Sequence, residues 1–290
     1  MKTEQPLWGR GIMVSPQHFQ QQAAYAAWSA EGIAQMSLSH PWGVIEAAFE
    51  QNMLKLGRLQ ASRLHIRFQD GTLVDSDNAD GLPSVLSLEG ESHETIVVLA
   101  LPLWRANGGN CLKPDEAAER PVRYRQRWHD VRNQFGDDNR QIAVLQPELS
   151  LRFAHQNNSD YLTCPVARLQ QDSQGVWTLD DSFLPPLLSV RSSRWLMKQL
   201  DQLRARLIRL MAMRRESNER MADFAVADVS LFWLLNALNS AEPVLAQFQR
   251  FPQNAVERLF PELARLAGGL LTFSLEHQVS AIPAYQHEHL

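Results

Sequence analysis

Histidines near the carboxyl end are the first candidates for a metal site. His287 and His289 stand two positions apart, with Glu288 between them. Helical zinc sites place two histidines four positions apart on one face and add further ligands from a second group. Neither feature is found here, so the sequence predicts no metal ion. His18 lies at a predicted helix start, where we expect it to cap or pack rather than to catalyse.

Two cysteines, Cys111 and Cys164, could supply a nucleophile, a metal ligand or a disulfide. They are 53 positions apart, far from the CxxC spacing, and we expect idle thiols in a reducing compartment. The sequence does not decide whether these two cysteines form a disulfide. A Cys–His catalytic pair requires the two side chains to meet in space, which spacing along the chain does not determine.

The loop that begins at position 75 resembles half of an EF-hand loop. Its aspartates are Asp75, Asp77 and Asp80. Its glycine stands at the wrong position, and Leu86 occupies the twelfth place, where a bidentate glutamate is required. We therefore predict a solvated turn. Residues 107–110 do not match GxGxxG, and no Walker motif is present. Nothing in the sequence supports an enzyme or a cofactor.

Composition limits the function classes. Of the 290 residues, 44% are hydrophobic and 21% are charged, as in folded soluble proteins. A net charge of −4 gives no broad positive field, so we expect proteins or small molecules as partners and no nucleic acid. Residues 1–6 lack the apolar core of a signal peptide, and the longest apolar run, 96–104, is about half of a membrane helix. We expect a cytoplasmic protein without membrane insertion.

Three zones of different periodicity must position these residues. The first is an arm and a helix over about residues 16–36, with Ser15 as N-cap and Pro16 at the first helical position. The second, about residues 41–186, has short β-rich runs between turns and predicts a sandwich or barrel-like domain. The third, from about residue 190, is helical.

Two runs in the second zone predict particular strands. Residues 59–68 alternate, with Leu64, Ile66 and Phe68 on one face and Leu59 and Ala61 on the other. Asp70-Gly71 then gives a hairpin signal. The apolar run at residues 95–101 predicts a strand that is covered on both faces.

Leucines in the third zone form a seam with intervals of four and three residues over two heptads. They are Leu196, Leu200, Leu203, Leu207 and Leu210. A second helix, about residues 226–239, is apolar nearly all round and contains Phe232 and Trp233. Glu242-Pro243 is expected to end it, and a third helix is predicted over about residues 254–273. A single neighbouring helix cannot cover the apolar surface of the second helix, so we predict that the chain self-associates through this region.

The arm and first helix resemble a family signature, that of the TssK baseplate subunits of the bacterial type VI secretion system. The matching positions are Trp8, Gly11, Pro16, Gln17, His18, Phe19 and Gln20. Arg10 stands where the family usually has glutamate. Shorter matches follow in the family's order at residues 40–43, 183–186, 259–273 and 282–290.

The resemblance implies an α+β multidomain fold. Family members have a β-rich shoulder related to receptor-binding proteins of tailed phages, a helical neck and a carboxyl-terminal head. On this basis residues 1–40 form an arm and helix within the shoulder, and 41–186 form a β-sandwich-like shoulder domain. Residues 187–282 then form a helical-bundle neck that makes the trimer, and 283–290 are the start of an otherwise missing head.

The resemblance also implies a non-enzymatic adaptor. Its members form homotrimers, bind the wedge proteins TssF and TssG through the shoulder, and contact the membrane complex of TssM and TssL through the head, at the inner face of the inner membrane. The expected trimer-interface residues are Leu196, Leu200, Leu203, Leu207, Leu210, Phe232 and Trp233.

The arm has two possible roles, internal pinning of the shoulder or a contact with the wedge, and we favour pinning. Its candidate residues are Trp8, Pro16, Gln17, His18 and Phe19. Two other function classes stay open beside the adaptor. One is a phage-type module that recognises carbohydrate or protein, and the other is a cytosolic enzyme with a helical oligomerisation domain.

Overall fold

The structure is a computed structural model that describes residues 3–78, 80–91, 93–219, 226–274 and 276–288, with side chains described outside 214–219 and 226–228. It has the mixed α and β composition that the sequence predicts, with strands between a first long helix and three later ones. Within these ranges, no helix is both long and apolar enough to span a bilayer.

Helix α1, Pro16–Ser37, begins where the sequence predicts. Ser15 is extended, and its backbone N–H donates to His18 Nδ1 at 3.2 Å. This bond is one half of a capping box with histidine in the usual place of glutamate, and it confirms the capping role expected of His18. Pro16 takes the first helical position, where a missing N–H costs nothing.

None of the residues of α1 is buried. The helix is held against the rest of the protein by polar contacts. Glu31 pairs with Arg67, whose guanidinium also donates to the carbonyl of Pro41. At the end of the helix, Arg258 donates to Ser37 O at 3.3 Å. The apolar stripe of α1 therefore faces solvent in this chain.

The first sheet has the strand order β1-β3-β4, formed by Gly43–Phe49, Ala61–Arg67 and Leu73–Asp75. Between β1 and β3 lie the short helix α2, Gln51–Leu54, and strand β2, Arg58–Leu59. Strand β2 pairs with β5, Leu86–Ser87. At the hairpin signal, Gly71 adopts φ +85°, and Asp70 Oδ1 accepts from the N–H of Thr72 at 3.0 Å.

One face of β3 is buried as predicted, with Leu64, Ile66 and Phe68 inside. Leu59 and Ala61, which the alternation places on the other face, are buried as well. Residues 61–63 of β3 face only two residues of β1, so β3 carries a bulge at Ser62. The extra residue reverses the direction of the side chains and turns Ala61 inward.

The second sheet is built around β6, Glu94–Pro102, which lies between two partner strands, and its residues 97–101 are buried on both faces as the apolar run predicts. The order is β10-β6-β11-β12, with β10 at Ser150–Phe153, β11 at Tyr161–Gln171 and β12 at Trp177–Leu179. A third sheet has the order β7-β8-β9, with Cys111–Leu112, Tyr124–Arg132 and Asn139–Pro147.

Three helices follow a 3₁₀ turn at Val190–Ser192: α3, Arg194–Glu219, α4, Val226–Arg250, and α5, Val256–Leu271. Each contributes buried leucines to the packing: Leu200 and Leu207, Leu238 and Leu245, Leu259 and Leu266. These side chains belong to one continuous hydrophobic core together with those of the first two sheets.

The prediction that Pro243 ends the second helix is wrong, because α4 continues through it to Arg250. Proline removes one backbone hydrogen bond from a helix, and packing can outweigh that loss. Leu238 and Leu245, on either side of Pro243, are buried, and Glu242 pairs with Arg204 of α3. The tertiary contacts of α4 therefore override the local break.

Arg123, 2% exposed, is the largest fully buried side chain among the described residues. Its Nη1 donates to Pro102 O at 3.0 Å, at the end of β6. Its Nη2 donates to Asp70 Oδ2 at 2.5 Å and to Thr72 Oγ1 at 2.6 Å, in the turn between β3 and β4. Arg123 directly precedes β8, so one guanidinium joins the first, second and third sheets.

A set of contacts that we call the clasp joins residues 39–42 to α5 and to residues 285–287. The carboxylate of Glu257 accepts from the N–H of Ser39 and from that of His40, both at 2.9 Å. The His40 ring stacks on His287 with centroids 4.9 Å apart. The carboxylate also lies at the N-terminus of α5, where a negative charge is favourable.

His287 makes a hydrogen bond with each ring nitrogen. Its Nε2 lies 2.7 Å from Trp42 O and its Nδ1 lies 2.8 Å from the Tyr285 hydroxyl. A neutral ring satisfies both, because Nε2–H can donate to the carbonyl while Nδ1 accepts from the hydroxyl. Burial lowers the pKa of His287 below its ordinary value, and the nearby His40 lowers this pKa further.

Replacing Arg123 with methionine should destabilise the protein by about 2–4 kcal/mol, because the carbonyl of Pro102 and the carboxylate of Asp70 lose a buried donor. Urea denaturation followed by circular dichroism measures the change. Arg132→Met is the matched control, since Arg132 pairs with Asp137 in solvent and should cost less than about 1 kcal/mol. Equal losses from the two variants would contradict the role of Arg123.

The clasp should weaken in mild acid. Because the folded pKa of His287 lies below its unfolded value of about 6.5, the unfolded chain binds the proton more tightly. Stability is therefore fully present above the unfolded pKa and decreases as the pH falls through it. Thermal midpoints between pH 8 and 5 should show a shallower pH dependence for His287→Gln than for the natural chain. His129→Gln, at an exposed position, should leave the slope unchanged.

Candidate protein-binding surfaces

The residues with chemical potential are either buried or engaged locally. Burial raises the pKa of the Cys164 thiol to about 12, so this thiol stays protonated, whereas Cys111 is exposed. Both cysteines are free. Across the described ranges, no three His, Cys, Asp or Glu side chains are grouped so as to hold a metal ion. His287 uses both ring nitrogens in the clasp, and His289 lies outside the described residues.

The aspartate loop forms a turn, as predicted, and its carboxylates serve its own backbone. Asp75 Oδ1 accepts from the N–H of Asp77 at 3.1 Å. Asp80 Oδ2 accepts from the N–H of Asp75 at 2.8 Å. A hydrogen bond from the Asn78 side chain lowers the pKa of Asp75. These bonds engage the carboxylates of Asp75 and Asp80 within the turn, while the carboxylate of Asp77 pairs with Arg63 at 3.0 Å.

The leucine seam is divided by the structure into a covered part and an open part. Leu200 and Leu207 are each 3% exposed and pack inside the chain. Leu196 and Leu203 are half-buried against the same core. Leu210 is exposed. Four of the five seam leucines are therefore wholly or partly covered within one chain, where α3 packs against α4.

The C-terminal half of α3 and the N-terminal half of α4 carry exposed apolar side chains, which we call the neck patch. Its members are Ile208, Leu210, Met213, Val229, Phe232 and Trp233. Phe232 is 65% exposed and Trp233 is 58% exposed, and their rings meet edge to face at 5.9 Å. The sequence identifies only half of this set. Ile208, Met213 and Val229 escape notice because they lie outside the heptad seam, although they are apolar residues at helical spacing.

The arm folds back on α1. Trp8 lies 5.9 Å from the His18 ring and 6.1 Å from the Phe19 ring, and its Nε1 donates to Gln22 Oε1 at 3.4 Å. Further along, Gln21 Nε2 donates to Glu4 O at 2.7 Å. Within the described residues, the arm is thus attached to its own helix rather than to the sheets.

The structure brings the arm candidates together at the start of α1 but leaves them open. Trp8 and Phe19 are half or more exposed, as are Leu7, Met13 and Ile33. Pro16 and Gln17 are also exposed, and His18 is half-buried. We call this surface the arm patch. Its aromatic and aliphatic side chains offer contact area to another protein.

A third exposed element is the β8–β9 hairpin, whose residues from 128 to 143 are all exposed. It carries Trp128 and Ile142, and Phe135 at its tip is fully exposed. The sequence pattern of short β-rich runs does not show that this hairpin projects from the sheets. The available signal is the mixture of charged and apolar residues on both faces of β8, where a packed strand would keep one face apolar.

Comparison with known proteins supports a single family. The family model described as "Bacterial Type VI secretion, VC_A0110, EvfL, ImpJ, VasE" matches residues 18–290. A curated relative is the type VI secretion system baseplate component TssK1 of Pseudomonas aeruginosa, 25% identical over 98% of this chain. The chain spans about 65% of the length of that relative.

Solved structures agree with this match. The chain resembles one in the TssK–TssF–TssG baseplate subcomplex, with 49% identity, a TM-score of 0.89 and coverage of 99% of this chain and 93% of that one. It also resembles a chain of the baseplate complex from the type VI secretion system, with 53% identity, a TM-score of 0.90 and coverage of 100% and 66%. The resemblance found in the sequence is thereby confirmed, and the chain belongs to the T6SS_VasE family, the TssK family of type VI secretion proteins.

Proposed function

We propose that this chain is a structural, non-enzymatic adaptor of the type VI secretion baseplate that binds wedge proteins of the TssF and TssG kind. One observation carries the proposal. A chain that is 49% identical over nearly the whole length occurs in a TssK–TssF–TssG baseplate subcomplex. The exposed apolar surfaces of this chain are the kind of surface that such assemblies bury.

Each zone of the fold has its own proposed role. Residues 1–40 and 41–186 act as a shoulder, with the first and second sheets as a β-sandwich-like body, and residues 187–282 act as a helical-bundle neck. By the family resemblance, a head that starts at residue 283 links the protein to the membrane complex of TssM and TssL, in the cytoplasm at the inner membrane. Assembly through protein surfaces requires no cofactor.

The neck patch is the proposed site of homotrimer formation. Fully burying a Leu- or Phe-class side chain contributes roughly 1.5–3 kcal/mol, so six such side chains give a large driving force. The Arg204–Glu242 ion pair and the buried Leu200 and Leu207 fix α3 against α4. These leucines support the interface from behind, while Leu210, Phe232 and Trp233 contact the neighbouring copies.

The arm patch is the proposed contact with the wedge. Trp8 and Phe19 form an aromatic pair that is already ordered by Gln22 and His18 before any partner binds. Aromatic anchors that are ordered in advance lose little entropy on binding. This exposure supports wedge binding over internal pinning of the sheets.

The double change Phe232→Ser and Trp233→Ser should convert the trimer to a monomer at micromolar concentration, because it removes the largest exposed apolar area of the neck patch. Light scattering coupled to size exclusion measures the mass. Gln247→Ala, an exposed change on the same helix, should keep the trimer. Leu207→Ala should instead lower stability by about 2–5 kcal/mol. A double variant that retains the trimer mass would refute the interface.

The double change Trp8→Ala and Phe19→Ala should weaken binding to a purified TssF–TssG complex by at least about tenfold while leaving the unfolding midpoint unchanged. Surface plasmon resonance measures the affinity. Trp104→Ala is the matched control, because Trp104 is a similarly exposed tryptophan in another part of the shoulder. If both variants bind like the natural chain, the arm patch is not the wedge contact.

A further inference from the structure

A long groove separates the edge of the first sheet from the beginning of α3. Its volume is about 910 Å³, in the range of peptide and ligand sites. One wall is β1, and the opposite wall is the segment from the 3₁₀ turn at Val190–Ser192 into α3. Val166 and Ala167 of β11 form part of the base, and Phe49 and Trp195 contribute apolar surface.

The β1 wall is a free strand edge. Strand β1 ends the order β1-β3-β4, so only one of its edges pairs with a neighbouring strand. At its start, the free edge already accepts extended chain: Val44 N–H donates to Pro186 O at 2.7 Å, and Leu188 N–H donates to Val44 O at 3.1 Å. From Ile45 to Phe49, no described strand continues this pairing. Such an edge is a template for another extended segment.

The opposite wall is positively charged in an acidic protein. Arg191, Arg194 and Lys198 are exposed along it, and none of the three forms an ion pair with any residue that the structure describes. They also surround the N-terminus of α3, where a positive charge is unfavourable. A negative partner on this wall would relieve that cost.

The remaining charges of the groove largely neutralise one another. Arg63 pairs with Glu46, and Arg168 pairs with Asp180. Each arginine also pairs with a carboxylate outside the lining, Asp77 and Glu94 respectively. Asp181 is the other carboxylate of the lining. Three unpaired cations therefore face one unpaired carboxylate, and the groove is positive on balance.

We propose that this groove binds an extended acidic segment of another protein, which adds as a strand to the free edge of β1. Side chains of an extended segment alternate between two faces. Acidic residues at every second position would meet Arg191, Arg194 and Lys198, and the apolar residues between them would lie on Phe49 and Ala167. Backbone hydrogen bonds to β1 supply affinity for any sequence, and the cations select the acidic one.

The arm of a second copy is a less suitable occupant. Residues 3–14 contain one acid, Glu4, and one base, Arg10, so they do not complement the positive wall. The carbonyl of Glu4 and the indole of Trp8 are also engaged by α1 of their own chain. Charge complementarity thus points to a different protein.

Fluorescence anisotropy with a labelled eight-residue peptide of alternating valine and glutamate tests the proposal on the purified full chain. It should bind at least about tenfold more tightly than the matching valine–lysine peptide. Methylating the backbone nitrogens along one edge of the acidic peptide should cost at least about tenfold, because strand addition needs them as donors. The combined change Arg191→Ala, Arg194→Ala and Lys198→Ala should weaken binding similarly, whereas Arg206→Ala, an exposed α3 control, should not.

Several results would overturn the proposal. One is the absence of saturable binding of the acidic peptide up to about 1 mM. Others are equal affinity for the glutamate and lysine peptides, or affinity unaffected by the methylated backbone or by the triple variant. A change in oligomeric mass caused by the triple variant would assign the groove to a second copy of this chain instead.

Discussion

The buried guanidinium of Arg123 is the constraint on which the arrangement of the sheets depends. A charge that is removed from water is tolerated only where donors and acceptors match closely. Its hydrogen-bond partners come from the β3–β4 turn and from the end of β6. Both elements must therefore lie next to the start of β8. Arg123 thereby links the first, second and third sheets at the point from which the β8–β9 hairpin projects.

Much of this fold could be predicted from local signals. Ser15 and Pro16 mark the start of α1, and the apolar run around Val97 marks the central strand of the second sheet. The failures have tertiary causes. Pro243 remains helical because buried neighbours hold α4, and Ala61 turns inward because of a bulge that depends on pairing with β1. Neither cause can be read from a window of residues along the chain.

The candidate surfaces were only partly predictable for a related reason. A seam of leucines indicates burial, but burial within one chain and burial between chains use the same physics. The structure separates them, because Leu207 is covered while Leu210 is open. Ion pairs orient the elements that carry the open apolar surfaces, Arg67–Glu31 for α1 and Arg204–Glu242 for the neck. Polar contacts orient these elements, and the apolar side chains on them remain exposed to solvent.

We expect the clasp to form late in folding, because its partners are far apart in the sequence. Its contacts join residues 217 and 245 positions apart, whereas the α3–α4 hairpin needs only neighbours in sequence. Distant contacts form late because closing a long loop costs entropy before it is rewarded. At about 5–20 residues per second, ribosomal synthesis takes on the order of tens of seconds to separate Trp42 from His287. During that interval residues 39–42 lack their contacts with Glu257 of α5 and with His287.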